Sequence, residues 1–166
     1  SNTGGGTLSF SYTGAQGAHT FYARATDAVG NVQASPGTQA STTIDSVSPG
    51  GSTATSASLI GPSLTAFSVS VSYSDATSGA TKIDLYQRVY YPYTGAFSLQ
   101  QTQTFAASTS GTRTFGYTPT DSAGMGGNWY DFYAVVTDAA GNTYTTGSAR
   151  VTWDNNGPGC SITTAV

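Results

Sequence analysis

Few residues of this chain could do chemistry, and they are scattered. The most informative are in an Asp-Ala-x-Gly-Asn run that occurs twice, at residues 27–31 and 138–142. Asp and Asn side chains accept backbone N–H bonds and Gly permits positive φ, so each run predicts a hairpin connection that needs no ligand. His19 is the single histidine and aligns with Tyr130 at an inward strand position, which suits a partly buried strand residue. A metal site would want a second imidazole or a thiolate beside it. A Ser-His-Asp arrangement has no histidine to use anywhere in residues 47–157. Hydrolysis by two carboxylates needs a facing pair, whereas Asp84, Asp121 and Asp131 sit singly on alternate strand faces or in loops. Cys160 is the only cysteine, so no internal disulfide can form. It reads as a small residue opening a following strand, with pairing to another chain as the alternative. Tyr86, Tyr90, Tyr91, Tyr93 and Trp129 fall at outward or loop positions. Such rings can stack on sugars or bury in a protein contact, and they also pair across strands as ordinary sheet surface.

The elements that must carry these residues are strands. Charged residues make up 8% of the 166, far below the ~25% of ordinary domains, yet Tyr, Phe, Val and Trp are plentiful enough to fill a core. Abundant Gly, Ser, Thr and β-branched residues disfavour long helices. A net charge of −3 with five basic residues argues against a nucleic-acid or anionic-membrane partner. No apolar run approaches the ~20 residues of a membrane helix, and SNTGGG does not resemble a signal peptide. Asn-x-Ser/Thr sequons are absent, so the Ser/Thr-rich faces are read either as neutral sheet surface or as carriers of O-linked sugars.

Period-two alternation predicts strands near 54–61, 66–75, 80–91, 96–106, 112–118, 129–137 and 144–154. The chain also repeats itself. HTFYARATDAVGN at 19–31 returns as YDFYAVVTDAAGN at 130–142, offset by 111 as from Asp27 to Asp138. GTLSFSYT at 6–13 returns as GTRTFGYT at 111–118, and TTID at 42–45 as VTWD at 151–154. A repeat of ~105–111 residues is the size of one β-sandwich domain. Three domains are therefore expected: residues 1–46 as the C-terminal half of a repeat, 47–157 as a complete one, and 158–166 as the start of another. Residues 1–46 match only the last three strands, and alone they would leave Phe10, Tyr12, Phe21 and Ile44 facing water. The missing strands would come from sequence upstream or from another copy. The segment 119–127 exceeds its counterpart by about six residues and is a place for a repeat-specific contact.

The run Tyr130-x-Phe132-x-x-x-Val136-x-Asp138-x-Ala140-Gly141-Asn142 resembles the late-strand motif of bacterial immunoglobulin-like repeats, as do Ser78-Gly79 before Ile83-x-Leu85-Tyr86 and Trp153-Asp154 before Pro. The resemblance implies an all-β fold of tandem immunoglobulin-like antiparallel β-sandwiches, one complete and flanked by partial repeats. It also implies an extracellular or cell-surface, non-catalytic structural module of an adhesin, stalk or filament, whose partners are neighbouring repeats or copies of itself. The alternative is a glycan-binding or spacer module on a secreted hydrolase. In such a sandwich Asp45, Asp75 and Asp138 would gather at the N-terminal end, and three carboxylates are the hard oxygen ligands that Ca²⁺ takes.

Overall fold

The computed structural model describes residues 9–34, 40–90, 95–119 and 128–160. The chain is all-β, 58% strand, with no helix among the described residues and with open sheets. It divides into two units, Ser1–Ser46 and Val47–Val166.

The second unit holds nine strands: β3 (Gly50–Thr55), β4 (Leu59–Ile60), β5 (Phe67–Ser74), β6 (Ala80–Tyr90), β7 (Ser98–Ser108), β8 (Ser110–Tyr117), β9 (Trp129–Asp138), β10 (Thr143–Thr145) and β11 (Ala149–Trp153). One sheet has the order β3-β5-β8, and the other β4-β11-β9-β6-β7 with β10 also on β9. The alternation in sequence becomes the two faces of each strand. Phe67, Val69, Val71 and Tyr73 are buried while the serines between them are partly exposed. Ile83 and Leu85, then Tyr130, Phe132, Ala134 and Val136, meet them from the second sheet, with Phe115, Val151 and Trp153 completing one core. The arrangement is compatible with a β-sandwich. Burying side chains such as Ile83 or Phe132 contributes about 1.5–3 kcal/mol each.

Two of the expected strands are divided. In place of one strand at 54–61, β3 pairs with β5, and the chain then crosses at Ser56–Ser58 so that β4 runs parallel to β11. Ser56 marks the crossing: its N–H donates to Ser68 O at 2.9 Å and its Oγ accepts from Ser68 N at 2.9 Å. In place of one strand at 144–154, β10 and β11 are separated at Thr146. Its hydroxyl accepts the Ala134 N–H at 2.9 Å, a bond that a backbone carbonyl would otherwise make.

The first unit contains β1 (Gly17–Phe21) and β2 (Ala40–Ile44), an antiparallel pair. The sequence repeat is also a repeat of register. Phe21 faces Ala40 as Phe132 faces Ala149, and Ala18 faces Thr43 as Trp129 faces Thr152. The bridge Thr26↔Val32 likewise matches Thr137↔Thr143. One expectation fails here. Residues 9–13, the counterpart of β8, form no strand. The reason is pairing: the backbone of β8 ladders with β5 alone, and the first unit has no β5 equivalent among its described residues to offer a backbone edge.

Both tryptophans lie in the second unit, so indole fluorescence reports its unfolding alone. Phe132→Ala should lower its stability by about 3–5 kcal/mol in guanidinium titrations. The equivalent Phe21→Ala should move the same transition by less than about 0.5 kcal/mol.

Candidate functional site

The acidic turns come first. In the second unit Asp138 and Asn142 close the β9–β10 connection. Asp138 Oδ1 accepts the Asn142 N–H at 2.8 Å, Oδ2 accepts from Asn142 Nδ2 at 2.8 Å, and Gly141 takes φ 94°. The first unit builds the same turn. Asp27 Oδ1 accepts from Asn31 N at 2.8 Å, Oδ2 from Asn31 Nδ2 at 2.7 Å, and Gly30 has φ 92°. Asn31's side-chain bond, with its backbone N–H beside it, holds the Asp27 carboxyl below the usual carboxylate range.

Asp75 sits in the β5–β6 connection. Its Oδ1 accepts the N–H groups of Thr77 at 3.1 Å, Ser78 at 2.9 Å and Gly79 at 2.7 Å. Three convergent N–H dipoles form a small anion cradle for the carboxylate itself. Gly79 is needed twice. Its φ is +80°, and an added Cβ would lie 2.9 Å from Ser108 N. Asp75 and Asp138 are both buried, 6% and 2% exposed, with carboxylate oxygens within 4.8 Å of each other. Two such carboxylates are oxygen donors of the kind Ca²⁺ takes, although a full shell needs 6–8 oxygens. Much of this pair's lone-pair capacity already serves the N–H groups of its own loops. Asp45, the third expected ligand, follows β2 in the other unit.

The outer face of β6 and β9 gathers the expected contact aromatics. Tyr86 lies opposite Tyr133 and stacks on it, with ring centroids 5.0 Å apart and 6° between planes. Tyr90 lies opposite Trp129 and stacks at 3.8 Å and 4°. The Arg150 guanidinium lies 4.6 Å from the Trp129 ring centroid, and it must occupy the opposite face because Tyr90 fills the first. Trp129 therefore has no open face for a sugar ring. Tyr91, Tyr93 and Asp121 fall outside the described residues, as does the 119–127 segment beyond Pro119.

Sequence reasoning missed what lies between the stacked pairs. Asp131 faces Arg88 on β6 and Arg150 on β11, its cross-strand partners on either side. Arg150 Nε donates to Oδ1 at 2.6 Å and its Nη2 to Oδ2 at 3.0 Å, while Arg88 Nε donates to Oδ2 at 3.0 Å. Asp131 is 2% exposed although it points outward, because the two arginines roof it. The Arg150 hydrogen bond holds its carboxyl below the usual range, against the cost of burial, and Arg88 adds to the effect. The signal was available in the sequence: an Asp flanked by Tyr130 and Phe132 in a buried strand must find cations. Asp84 is likewise engaged, by Lys82 Nζ at 2.8 Å and by the Thr102 hydroxyl at 2.7 Å.

A carboxyl with a depressed folded pKa contributes stability that is fully present above its unfolded value, ~3.9, and is lost as pH falls through the folded value. Stability of the second unit should therefore hold from neutral pH to about pH 5 and decline below about pH 4. Asp131→Asn should blunt that acid slope. It should also cost about 1–3 kcal/mol at neutral pH, a figure discounted for the half-exposed arginines. Urea titrations across pH would measure both.

No protein-family model matches the sequence, and no curated protein matches it. Solved structures of distant likeness include the following three. The alkylpurine DNA glycosylase AlkC of Pseudomonas fluorescens, bound to DNA containing an abasic-site analogue, is 11% identical with a TM-score of 0.42, over 62% of this chain and 30% of that one. The CARDB domain of the PF1109 protein of Pyrococcus furiosus, in complex with di-metal ions, is 13% identical with a TM-score of 0.35, over 65% and 96%. A β-glucosidase of Listeria innocua in complex with glucose is 12% identical with a TM-score of 0.33, over 64% and 16%. The chain thus spans less than a third of two of these proteins, and at such distance the likenesses identify no family or activity for this chain.

Proposed function

We propose that this chain is a stretch of a tandem array of immunoglobulin-like β-sandwiches, serving as a non-catalytic structural module of an extracellular adhesin, stalk or filament. The observation that carries the reading is the recurrence of one strand pair in the same register, with β9 lying 111 residues after β1 and β11 lying 109 after β2. A module duplicated intact, turn included, serves to be strung in series. The strand order β3-β5-β8 against β4-β11-β9-β6-β7 supports an immunoglobulin-like layout, in which the first, second and fifth strands oppose the third, sixth and seventh. The non-catalytic part rests on the acids: Asp84 and Asp131 are committed to cations of their own sheet.

The mechanism is mechanical. β4, near the start of the second unit, runs parallel to β11, near its end. Tension applied at the two ends pulls these strands in opposite directions along their length. Their bonds, Thr152 N to Ser58 O at 2.9 Å and Asp154 N to Ile60 O at 2.8 Å, are then loaded together in shear rather than one after another. Neighbouring repeats or further copies are the partners in this reading. The alternative, a glycan-binding or spacer module on a secreted hydrolase, has less support, because Trp129 has both faces covered and Tyr86 and Tyr90 each have one face stacked within their own sheet. Ca²⁺ would act as a stiffener of the Asp75–Asp138 end.

Two measurements test this. Single-molecule stretching should release the second unit in one event of about 40 nm, and Thr152→Pro, which removes one clamp donor, should lower the peak force clearly. Extension without a force peak would remove the mechanical reading. Thermal melting in millimolar Ca²⁺ should exceed that in chelator by several degrees and lose the difference in Asp75→Asn. An unchanged midpoint would eliminate the ion.

A further inference from the structure

The first unit carries an apolar groove of about 410 Å³ lined by Phe10, Tyr12, Phe21, Ala40, Thr42 and Ile44. The repeat gives each of these a counterpart in the second unit: Phe115, Tyr117, Phe132, Ala149, Val151 and Trp153. Of those, Phe115, Phe132, Val151 and Trp153 are core residues no more than 2% exposed. The groove is therefore half of a core whose other half can be seen in the same chain.

Its walls already stand in the closed arrangement. Tyr12 meets Phe21 edge-on at 4.8 Å and 78°, as Tyr117 meets Phe132 at 5.2 Å and 73°. Tyr12 and His19 lie at 5.2 Å and 60°, as Tyr117 and Tyr130 lie at 5.9 Å and 57°. In the second unit the ring that covers this pair is Phe67 of β5, 5.3 Å from Tyr117 and 5.7 Å from Phe132. Phe67 pairs in register with Tyr117, and Val69 with Phe115. In the first unit Phe10 is 87% exposed and Tyr12 51%. The Tyr12 hydroxyl, whose counterpart on Tyr117 accepts from Gln87 of β6 at 2.5 Å, turns instead to His19 Nδ1 at 3.1 Å.

We propose that this groove is an acceptor for a donated antiparallel β-strand of aromatic-x-Val-x-Val pattern, supplied by a polypeptide segment other than residues 1–166. The aromatic ring enters between Tyr12 and Phe21. The next valine sits opposite Phe10, and the donor backbone gives residues 9–13 the edge that no described residue offers them. This chain's own β5 is not free to serve, since β3 and β8 hydrogen-bond both its edges. The inference rests on the repeat and not on any extracellular or load-bearing role, so the two readings can fail separately.

The probe is a labelled peptide of residues 66–74, AFSVSVSYS, with a lysine tail for solubility, added to the full chain. Saturable binding is expected, with amide-exchange protection appearing at residues 9–13. The affinity should fall at least about ten-fold when the peptide carries Phe67→Ala, or when the protein carries Phe10→Ser, a change at a site exposed enough to spare folding. Three results would overturn the proposal: no binding, binding indifferent to Phe67→Ala, or protection of 9–13 in the protein alone with dimers in sedimentation. The last would mean that a second copy covers the groove.

Discussion

A β-sheet that is apolar on one face has to have that face covered, and this requirement governs both halves of the chain. In the second unit it is met. The rings and branched side chains of β5 and β8 close over β6, β9 and β11 and bury one core. The first unit presents the matching face of β1 and β2 with the same ring geometry and no facing strand among its described residues. Its backbone at residues 9–13 forms no ladder with any described residue, for the same reason that its rings stay exposed. Strand pairing and core closure are supplied together by β5, or neither is supplied.

Electrostatics follow from the scarcity of charge. With so few ionic groups, the sheet surface is held by hydroxyl pairs such as Ser52–Ser72 at 2.7 Å and Thr53–Thr146 at 2.6 Å, the latter joining β3 to the segment after β10. Among the described residues, Asp131, Asp84 and Lys82 are paired within their own sheet. Asp131 is the clearest case: one carboxylate ties β6, β9 and β11 through two arginines, and each arginine also covers an aromatic ring, Arg88 over Phe97 and Arg150 over Trp129. The outer face is thereby stiffened as a ladder of stacked and paired side chains. A ladder of this kind fixes β6, β9 and β11 relative to one another.

The hairpin turns and the strand faces could be read directly from the residues. Asp138, Gly141 and Asn142 dictate their turn through bonds that span only four residues, and the same letters at Asp27, Gly30 and Asn31 give the same turn. The alternation in 66–74 and 130–136 settles which side chains go inward, because a strand offers only two faces. Tyr86, Tyr90 and Trp129 were legible as outward-facing.

What the letters could not convey is who faces whom across tens or hundreds of positions. The crossing at Ser56, the interruption at Thr146, the covering of both faces of Trp129 and the twin-arginine roof over Asp131 each depend on a partner brought in by another strand. The missing strand at residues 9–13 is the sharpest instance. Its sequence matches that of β8, but a strand is a relation between two backbones, and no described residue of the first unit supplies the second one.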